Sequence, residues 1–253
     1  MNSIETKTAK LYEDIHPHIE IDKTINDYLT TLSINKDYFD GKKILDCGFG
    51  GTGWAVDLFC RAKAIEVHGI DLNPRWKKTV SERLKNHRIH PNLITGNVLE
   101  LPYKNDYFDY VHSHGVMHHT TDWKRGIEEM IRVCKPGGII YLMLYGKFAP
   151  VGKLIHFGYR SLGKVIPYNW SKAFVNSTGL MQNHEISLLD AMYAPIEKHL
   201  SKKEITAHLQ SLKMKDICFF ESHKWKEKKF LSSNFMFGKN IQNVIWAKKQ
   251  INP

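Results

Sequence analysis

The sequence predicts an α/β fold, a mostly parallel sheet covered by helices, and three stretches carry that expectation. In the first, Lys42-Lys-Ile-Leu45 reads as a short buried strand with Asp46 at its tip. Gly48, Gly50, Gly51 and Gly53 follow, and an apolar helical period then opens with Val56, Phe59 and Ala62. In the second, Ile65-Glu-Val-His-Gly-Ile70 is a strand that ends at Asp71, and Asn73-Pro74 supplies the N-cap and first-turn proline of the next helix. In the third, Lys135-Pro-Gly-Gly138 turns into a buried strand over Ile139–Leu144. Strands alternating with helices specify parallel strands with helical crossovers.

Taken in order, residues 1–40 form a helical extension with Ile21, Ile25, Tyr28, Leu29 and Leu32 on one face, and Tyr12, His16 and His18 lie upstream. After the first strand comes a helix from Thr52 to Arg61, with Thr52 placed to cap it. The next helix buries Trp76, Val80 and Leu84. Asn92 to Pro102 holds a third strand and a loop with Asn97 and Val98. Asp106 to His119 holds a fourth strand that runs through Ser113 to His114, with His118 and His119 behind it. Ile127, Met130, Ile131 and Cys134 make a helix face, and the fifth strand closes at Tyr145. Residues 146–200 then lose the alternation and are rich in aromatic groups, Phe148, Phe157, Tyr168, Trp170 and Phe174 among them. Ser201-x-x-Glu204 is a capping box for a helix that buries Ile205 and Leu209. Ile217 to Phe220 and Asn243 to Trp246 read as a closing pair of strands.

A strand, a glycine turn and a helix N-terminus let backbone approach a nucleotide closely. Gly48-x-Gly50-x-x-Gly53 meets the spacing of dinucleotide loops, and Asp71 stands where such folds hold ribose hydroxyls. Asp46 points elsewhere. With it the loop reads Asp-x-Gly-x-Gly, which resembles motif I of class I S-adenosylmethionine (SAM) methyltransferases. A carboxylate there suits a cofactor bearing an ammonium and a sulfonium better than it suits a pyrophosphate. Three later segments strengthen the resemblance, which is to the UbiE group. They are Gly96-Asn-Val98 in its loop, Asp106 to His119 against its "SFDxVxSxxxLHH", and Lys135 to Gly138 against its "LKPGG".

That resemblance covers roughly residues 40–147 and implies a Rossmann-like seven-stranded sheet, mostly parallel with the last strand antiparallel. It implies SAM as cofactor, S-adenosylhomocysteine as product, and no metal. It sets Tyr12, Asp46, Gly48, Phe49, Gly50, Thr52, Asp71, Leu72, Asn97, Val98, Ser113 and His114 about the cofactor. Asp71 is expected on the ribose, Asn97 on the adenine amine in place of the family's acid, and Val98 against the adenine ring. This chain departs from the family's Gly-Cys-Gly-Thr-Gly, with Phe49 for the cysteine and Gly51 added. The expected organisation is an N-terminal extension or lid (1–40), a cofactor core (41–145), a helical substrate cap (146–200) and a C-terminal helix with two strands (201–253).

With 42% hydrophobic and 25% charged residues among 253, the composition is that of a globular protein, and no apolar run is long enough for a membrane span. Cys47, Cys60, Cys134 and Cys218 have no metal-ligand spacing and read as reduced, mostly buried thiols, so a cytoplasmic location is expected. A net charge of +10 fits either an anionic partner or lysine-rich solvated faces. The densest basic run, His223 to Lys229, falls between the last two strands and reads as a solvated loop. Motifs of nucleic-acid methyltransferases, Asp/Asn-Pro-Pro-Tyr or a Pro-Cys nucleophile, are absent from the sequence. The expected partner is a small-molecule acceptor, with aromatic or apolar character suggested by the aromatic insertion, and an oligomer is compatible with the sequence. Two alternatives stand: a nucleic-acid methyltransferase using the basic surface, and a non-catalytic SAM-binding partner subunit.

Methyl transfer is an in-line displacement in which a base helps by ~10²–10⁴-fold. His114, His118 and His119 follow the fourth strand at the carboxyl end of the sheet, where ligands bind, and Tyr145 ends the fifth. Leu189-Asp-Ala-Met-Tyr-Ala-Pro-Ile-Glu-Lys-His199 resembles an Asp-x-x-Tyr-x-Pro…His segment of some of these methyltransferases. It adds Asp190, Tyr193 and His199 as candidates from the cap side.

Overall fold

The computed structural model describes residues 3–14, 20–178, 185–221 and 242–251. His16, His18 and the basic run at 223–229 lie outside the described residues. The chain begins with α1 (Ser3–Asp14) and α2 (Ile21–Leu32), then alternates β1 (Lys43–Cys47), α3 (Trp54–Arg61), β2 (Glu66–Asp71), α4 (Pro74–Leu84) and β3 (Asn92–Thr95). It continues through β4 (Phe108–His114), α5 (Trp123–Val133) and β5 (Cys134–Tyr145) into three helices, α6 (Pro150–Val165), α7 (Tyr168–Thr178) and α8 (Glu185–Tyr193). α9 (Lys202–Ser211), β6 (Met214–Phe220) and β7 (Gln242–Lys249) close it.

The strands form one seven-stranded sheet in the order β3-β2-β1-β4-β5-β7-β6. β1 to β5 pair in parallel, and β7 runs antiparallel to both β5 and β6, as the sequence led us to expect. Between β1 and β4 the order reverses direction, which opens a crevice at the carboxyl ends of the strands. Successive side chains of a strand face opposite ways, so each buried strand feeds two cores. Ile44, Tyr110, Tyr141 and Val244 pack under α2, α3 and α4, while Leu45, Val111, Ile140 and Ile245 pack under α5 and α9.

Local chemistry accounts for most element boundaries. Asn73 Oδ1 accepts from the Arg75 amide with Pro74 at the first helical position, and Ser201 and Glu204 complete their reciprocal capping box. Arg132 pairs with Glu129 and donates to the carbonyls of Leu101 and Tyr103, which fixes the loop before β4. Three of the boundaries that differ from the expectation have a local cause. Thr52 does not cap α3; Gly53, at φ 49°, occupies that position and no side chain caps the helix. Ile65 stays outside β2 and is 63% exposed, because pairing with β1 starts at Lys43 opposite Glu66. Cys134 leaves the helix face and begins β5 in extended conformation. Cys47, Cys60 and Cys134 are buried and Cys218 is exposed.

The helices of the insertion pack mainly on one another. Arg160 of α6 donates to the Ala194 carbonyl, and the Tyr193 hydroxyl bonds the Ile166 carbonyl and Ser171. Phe157, Trp170 and Phe174, among the aromatic groups of the insertion, are 67%, 72% and 63% exposed. They line the outer surface of the insertion.

Candidate active site

The glycine turn leaves β1 at the crevice and is held by main-chain bonds. The Gly48 amide donates to Ile70 O at 2.7 Å, and the Gly50 amide donates to Asp71 Oδ2 at 2.9 Å. Gly50 sits at φ +61°, where a side chain is strained, and a Cβ built there meets nothing within 4 Å. The backbone therefore borders open space beside Asp71. Gly51, the residue added to the family pattern, lies against α4, where a Cβ would fall 2.7 Å from the Trp76 ring. Phe49 is buried in the core rather than turned to the crevice.

Asp71 Oδ1 also accepts from the Asn73 amide at 2.9 Å, so both carboxylate oxygens are oriented by backbone and keep lone pairs for a ligand. Burial pushes its carboxyl up to about 6, against the Asn73 and Gly50 amides, which favour the charged form. Leu72 beside it is half-buried. Past β3, Asn97 Oδ1 accepts from the Leu99 amide at 3.0 Å, and Val98 is buried against the α5 side of the core.

Asp46 and Ser113 turn into the sheet. Asp46 is 2% exposed and its Oδ1 accepts from His112 Nδ1 at 2.7 Å. The Ser113 hydroxyl donates to Cys47 O across the β1–β4 pair. His112 stacks on Tyr141 at 4.7 Å, and His114 Nδ1 meets the Tyr141 hydroxyl at 3.0 Å. Tyr28 of α2 closes this aromatic layer with a 2.6 Å hydroxyl contact to Tyr110. His112 was missed by sequence reasoning, although its alternation with Tyr110 and His114 along β4 places all three on one face.

Farther along the same edge, residues distant in sequence meet around Asp190, which is 1% exposed. The Tyr12 hydroxyl donates to Asp190 Oδ1, the Tyr145 hydroxyl donates to Oδ2 at 2.9 Å, and His119 Nε2 lies 3.3 Å from Oδ2. A carbonyl only accepts, so His119 Nδ1 carries the proton that it donates to Ile196 O at 2.8 Å. Burial opposes a charge on His119, but the Asp190 charge and hydrogen bonds prevail and raise its pKa. His118 is the reverse case. It is fully buried, stacked on Tyr145 at 3.8 Å, and burial with the neighbouring His119 drives its pKa well below the ordinary value. Its Nδ1 accepts from the Tyr145 amide at 3.4 Å, and its Nε2 is buried without a protein partner. His118 is thus a neutral imidazole whose Nε2–H is left to donate. α1 ties this cluster to the glycine side, since Ala9 O accepts from Asn73 Nδ2 at 3.4 Å.

His199 and Tyr193 do not join that cluster. Tyr193 bonds within the insertion, as described, and His199 sits with His156 and Glu197. Burial alone would raise the Glu197 carboxyl, but the two imidazoles hold it down at about 2.

Residues 45–142 match the family model described as a methyltransferase domain. Demethylmenaquinone methyltransferase of Geobacillus stearothermophilus is 30% identical over 148 residues, 54% of this chain and 62% of the relative. The ubiquinone/menaquinone biosynthesis C-methyltransferase UbiE of Vibrio vulnificus is 32% identical over 120 residues, 45% of this chain and 46% of the relative. The chain thus spans less than two thirds of either. An S-adenosylmethionine-dependent methyltransferase from Mesorhizobium loti superposes with TM-score 0.59 at 14% identity, over 90% of this chain and 100% of that one. The [4+2]-cyclase SpnF superposes with TM-score 0.56 at 16% identity, over 89% and 81%. The two solved structures share the fold but carry different printed activities, so activity has to be argued from the site.

Proposed function

We propose that this chain transfers a methyl group from SAM to a small-molecule acceptor whose reactive atom is a ring carbon beside a hydroxyl, as in a quinol precursor. The observation that carries the reading is the Asp190 cluster, which gathers Tyr12, His119 and Tyr145 at the carboxyl ends of β4 and β5. The methyltransferase core supports the cofactor, and the names of the two quinone-pathway relatives support the acceptor class.

The residues that would hold SAM are the Gly48–Gly53 turn, Asp71 for the ribose, and Asn97 with Val98 for the adenine. The open space at Gly50 beside two oriented carboxylate oxygens fits such a group. When bound, it supplies a methyl already activated by its sulfonium. The chain has to hold the acceptor in line, exclude water, and take the proton that the new bond displaces.

His118 is a poor base, with Nδ1 occupied and its pKa depressed, and serves instead as an N–H donor to the acceptor oxygen. His119 has both nitrogens committed to Ile196 and Asp190. As the methyl–sulfur bond gives way to the new carbon–carbon bond, the displaced ring proton would pass to the Tyr145 oxygen while the Tyr145 hydroxyl proton passes to Asp190, which changes from the carboxylate paired with His119 to the neutral acid. Tyr145→Phe should lower kcat by about 10²–10⁴-fold with SAM affinity unchanged. The direct assay follows labelled methyl from SAM into a soluble demethylmenaquinone analogue, with a short RNA in parallel. Label in the quinone alone is expected. Label in RNA, or in neither with SAM bound, would overturn the acceptor assignment.

A further inference from the structure

The structure assigns a divalent-metal site, of the zinc type, to His156, Glu197 and His199 at the junction of the insertion with the sheet. The site adjoins the Asp190 cluster, with the His199 ring stacked on Tyr145 at 6.0 Å, but shares no residue with it and does not depend on the methyl-transfer reading.

Its ligands are two imidazoles and a carboxylate whose donor atoms all lie within 4.8 Å of one another. His156 Nε2 is 2.8 Å from Glu197 Oε2, and His199 Nε2 is 3.2 Å from Glu197 Oε1. Tetrahedral zinc with bonds near 2.0–2.2 Å sets neighbouring donors about 3.3–3.6 Å apart, so small shifts admit the ion. The set matches two His and one Glu with an open fourth position, a donor combination that zinc accepts.

The backbone holds these ligands in advance. Leu200 N donates to Tyr145 O at 2.9 Å and Lys198 N to His118 O at 3.0 Å, which clamps residues 198–200 beside the ends of two structural elements. Glu197 and His199, two apart in this run, meet on one side, where His199 Nε2 lies 3.2 Å from Glu197 Oε1. His156 reaches them from α6.

His199 shows why an ion explains more than a simple ion pair. Its Nδ1 donates to Gly146 O at 3.0 Å, which leaves the lone pair on Nε2 in the neutral ring. That Nε2 is buried and has no hydrogen-bond partner, although a carboxylate oxygen lies 3.2 Å away. Without an ion a proton shared with Glu197 serves that contact; with an ion, the backbone carbonyl on Nδ1 fixes the tautomer and leaves Nε2 for the metal, the usual way a metal-binding histidine is oriented.

The open position faces a groove of about 350 Å³ lined by Lys147, Phe148, Lys153, Phe157 and Arg160 together with the two histidines. With Glu197 the one carboxylate in the donor set, and Lys147 already paired with Glu204, the site offers too few oxygen ligands for magnesium or calcium, which depend on several. The two imidazoles favour an ion that gains affinity from nitrogen donors, with an anionic group of a ligand at the fourth position.

The test uses the full chain without an affinity tag, stripped with a chelator and titrated calorimetrically with zinc. Cobalt(II) serves as a spectroscopic stand-in. One zinc per chain with Kd below about 1 µM is expected, with the visible absorption of tetrahedral cobalt. His156→Ala, on the rim of the groove, should retain the apo melting temperature and weaken binding by at least about 100-fold, and His199→Gln should do the same. A wild-type chain that binds no stoichiometric zinc would overturn the assignment, whatever the variants do. So would zinc binding that survives both substitutions undiminished.

Discussion

Asp190→Asn isolates the electrostatics of the candidate site, because asparagine keeps the shape of the side chain and removes its charge. In the folded chain Asp190 accepts from Tyr12 and Tyr145 and faces His119, all in a setting where it is 1% exposed. The amide oxygen can still accept one hydroxyl, but the NH₂ group faces the other. One hydrogen bond to a charged group is lost, worth about 1.5–3 kcal/mol. Removing one partner of a buried ion pair costs about 3–5 kcal/mol, and this contains part of the same loss, so about 3–5 kcal/mol is expected near pH 6.

The pH dependence has a definite sign. A histidine whose folded pKa is raised gives stability that is complete below its unfolded value and lost as pH rises through the folded value. His119 has such a raised pKa, caused by Asp190 against burial. At high pH it is neutral in both proteins, the ion-pair part vanishes, and the gap should narrow to about 1.5–3 kcal/mol. Urea unfolding followed by tryptophan fluorescence, at pH 6 and at steps upward until the gap stops changing, measures both gaps. A variant within about 0.5 kcal/mol of wild type at pH 6 would refute the cluster. A gap of constant size across the range would refute the assignment of the charge to His119.

Two further predictions concern the sheet side of the crevice. With its carboxyl pushed up to about 6 by burial, Asp71 must lose its proton to accept ribose hydroxyls, so cofactor affinity should fall about tenfold per unit below pH 6 and stay level above it. Titration calorimetry from pH 5 to 8 checks this, and Asp71→Asn should abolish the pH step. Tyr28→Phe removes one member of the buried Tyr28–Tyr110 hydroxyl pair and should cost about 1–3 kcal/mol in urea unfolding, since Tyr110 is left unpaired. No loss would mean that the pair contributes nothing.

The features legible in the sequence were those decided within a few residues. The Asn73-Pro74 cap, the Ser201–Glu204 capping box and Asp71 at the end of β2 each depend on near neighbours, and each lies where local chemistry put it. Thr52 failed for the same reason that it looked right. The glycine run before it supplies a left-handed residue at Gly53, and the helix starts there. Convergence was not legible. Tyr12, His119, Tyr145 and Asp190 were each candidates, yet only the folding of α1 and α8 onto the strand ends brings their hydrogen bonds to one carboxylate. His156 lies 41 residues before Glu197, so no spacing could announce that pair, whereas Glu197-x-His199 offered a local hint in an extended stretch. The aromatic count of the insertion does not say which way Phe157, Trp170 and Phe174 face, and all three are exposed.

The central claim is that the crevice beside Asp71 holds SAM. Calorimetric titration of the purified chain with SAM and S-adenosylhomocysteine, with NAD and the Asp71→Ala variant as controls, tests it most directly. Micromolar binding of both sulfur nucleotides, lost in Asp71→Ala and absent for NAD, is the predicted result. Binding of NAD, or no binding of either sulfur nucleotide to the wild type, would contradict it.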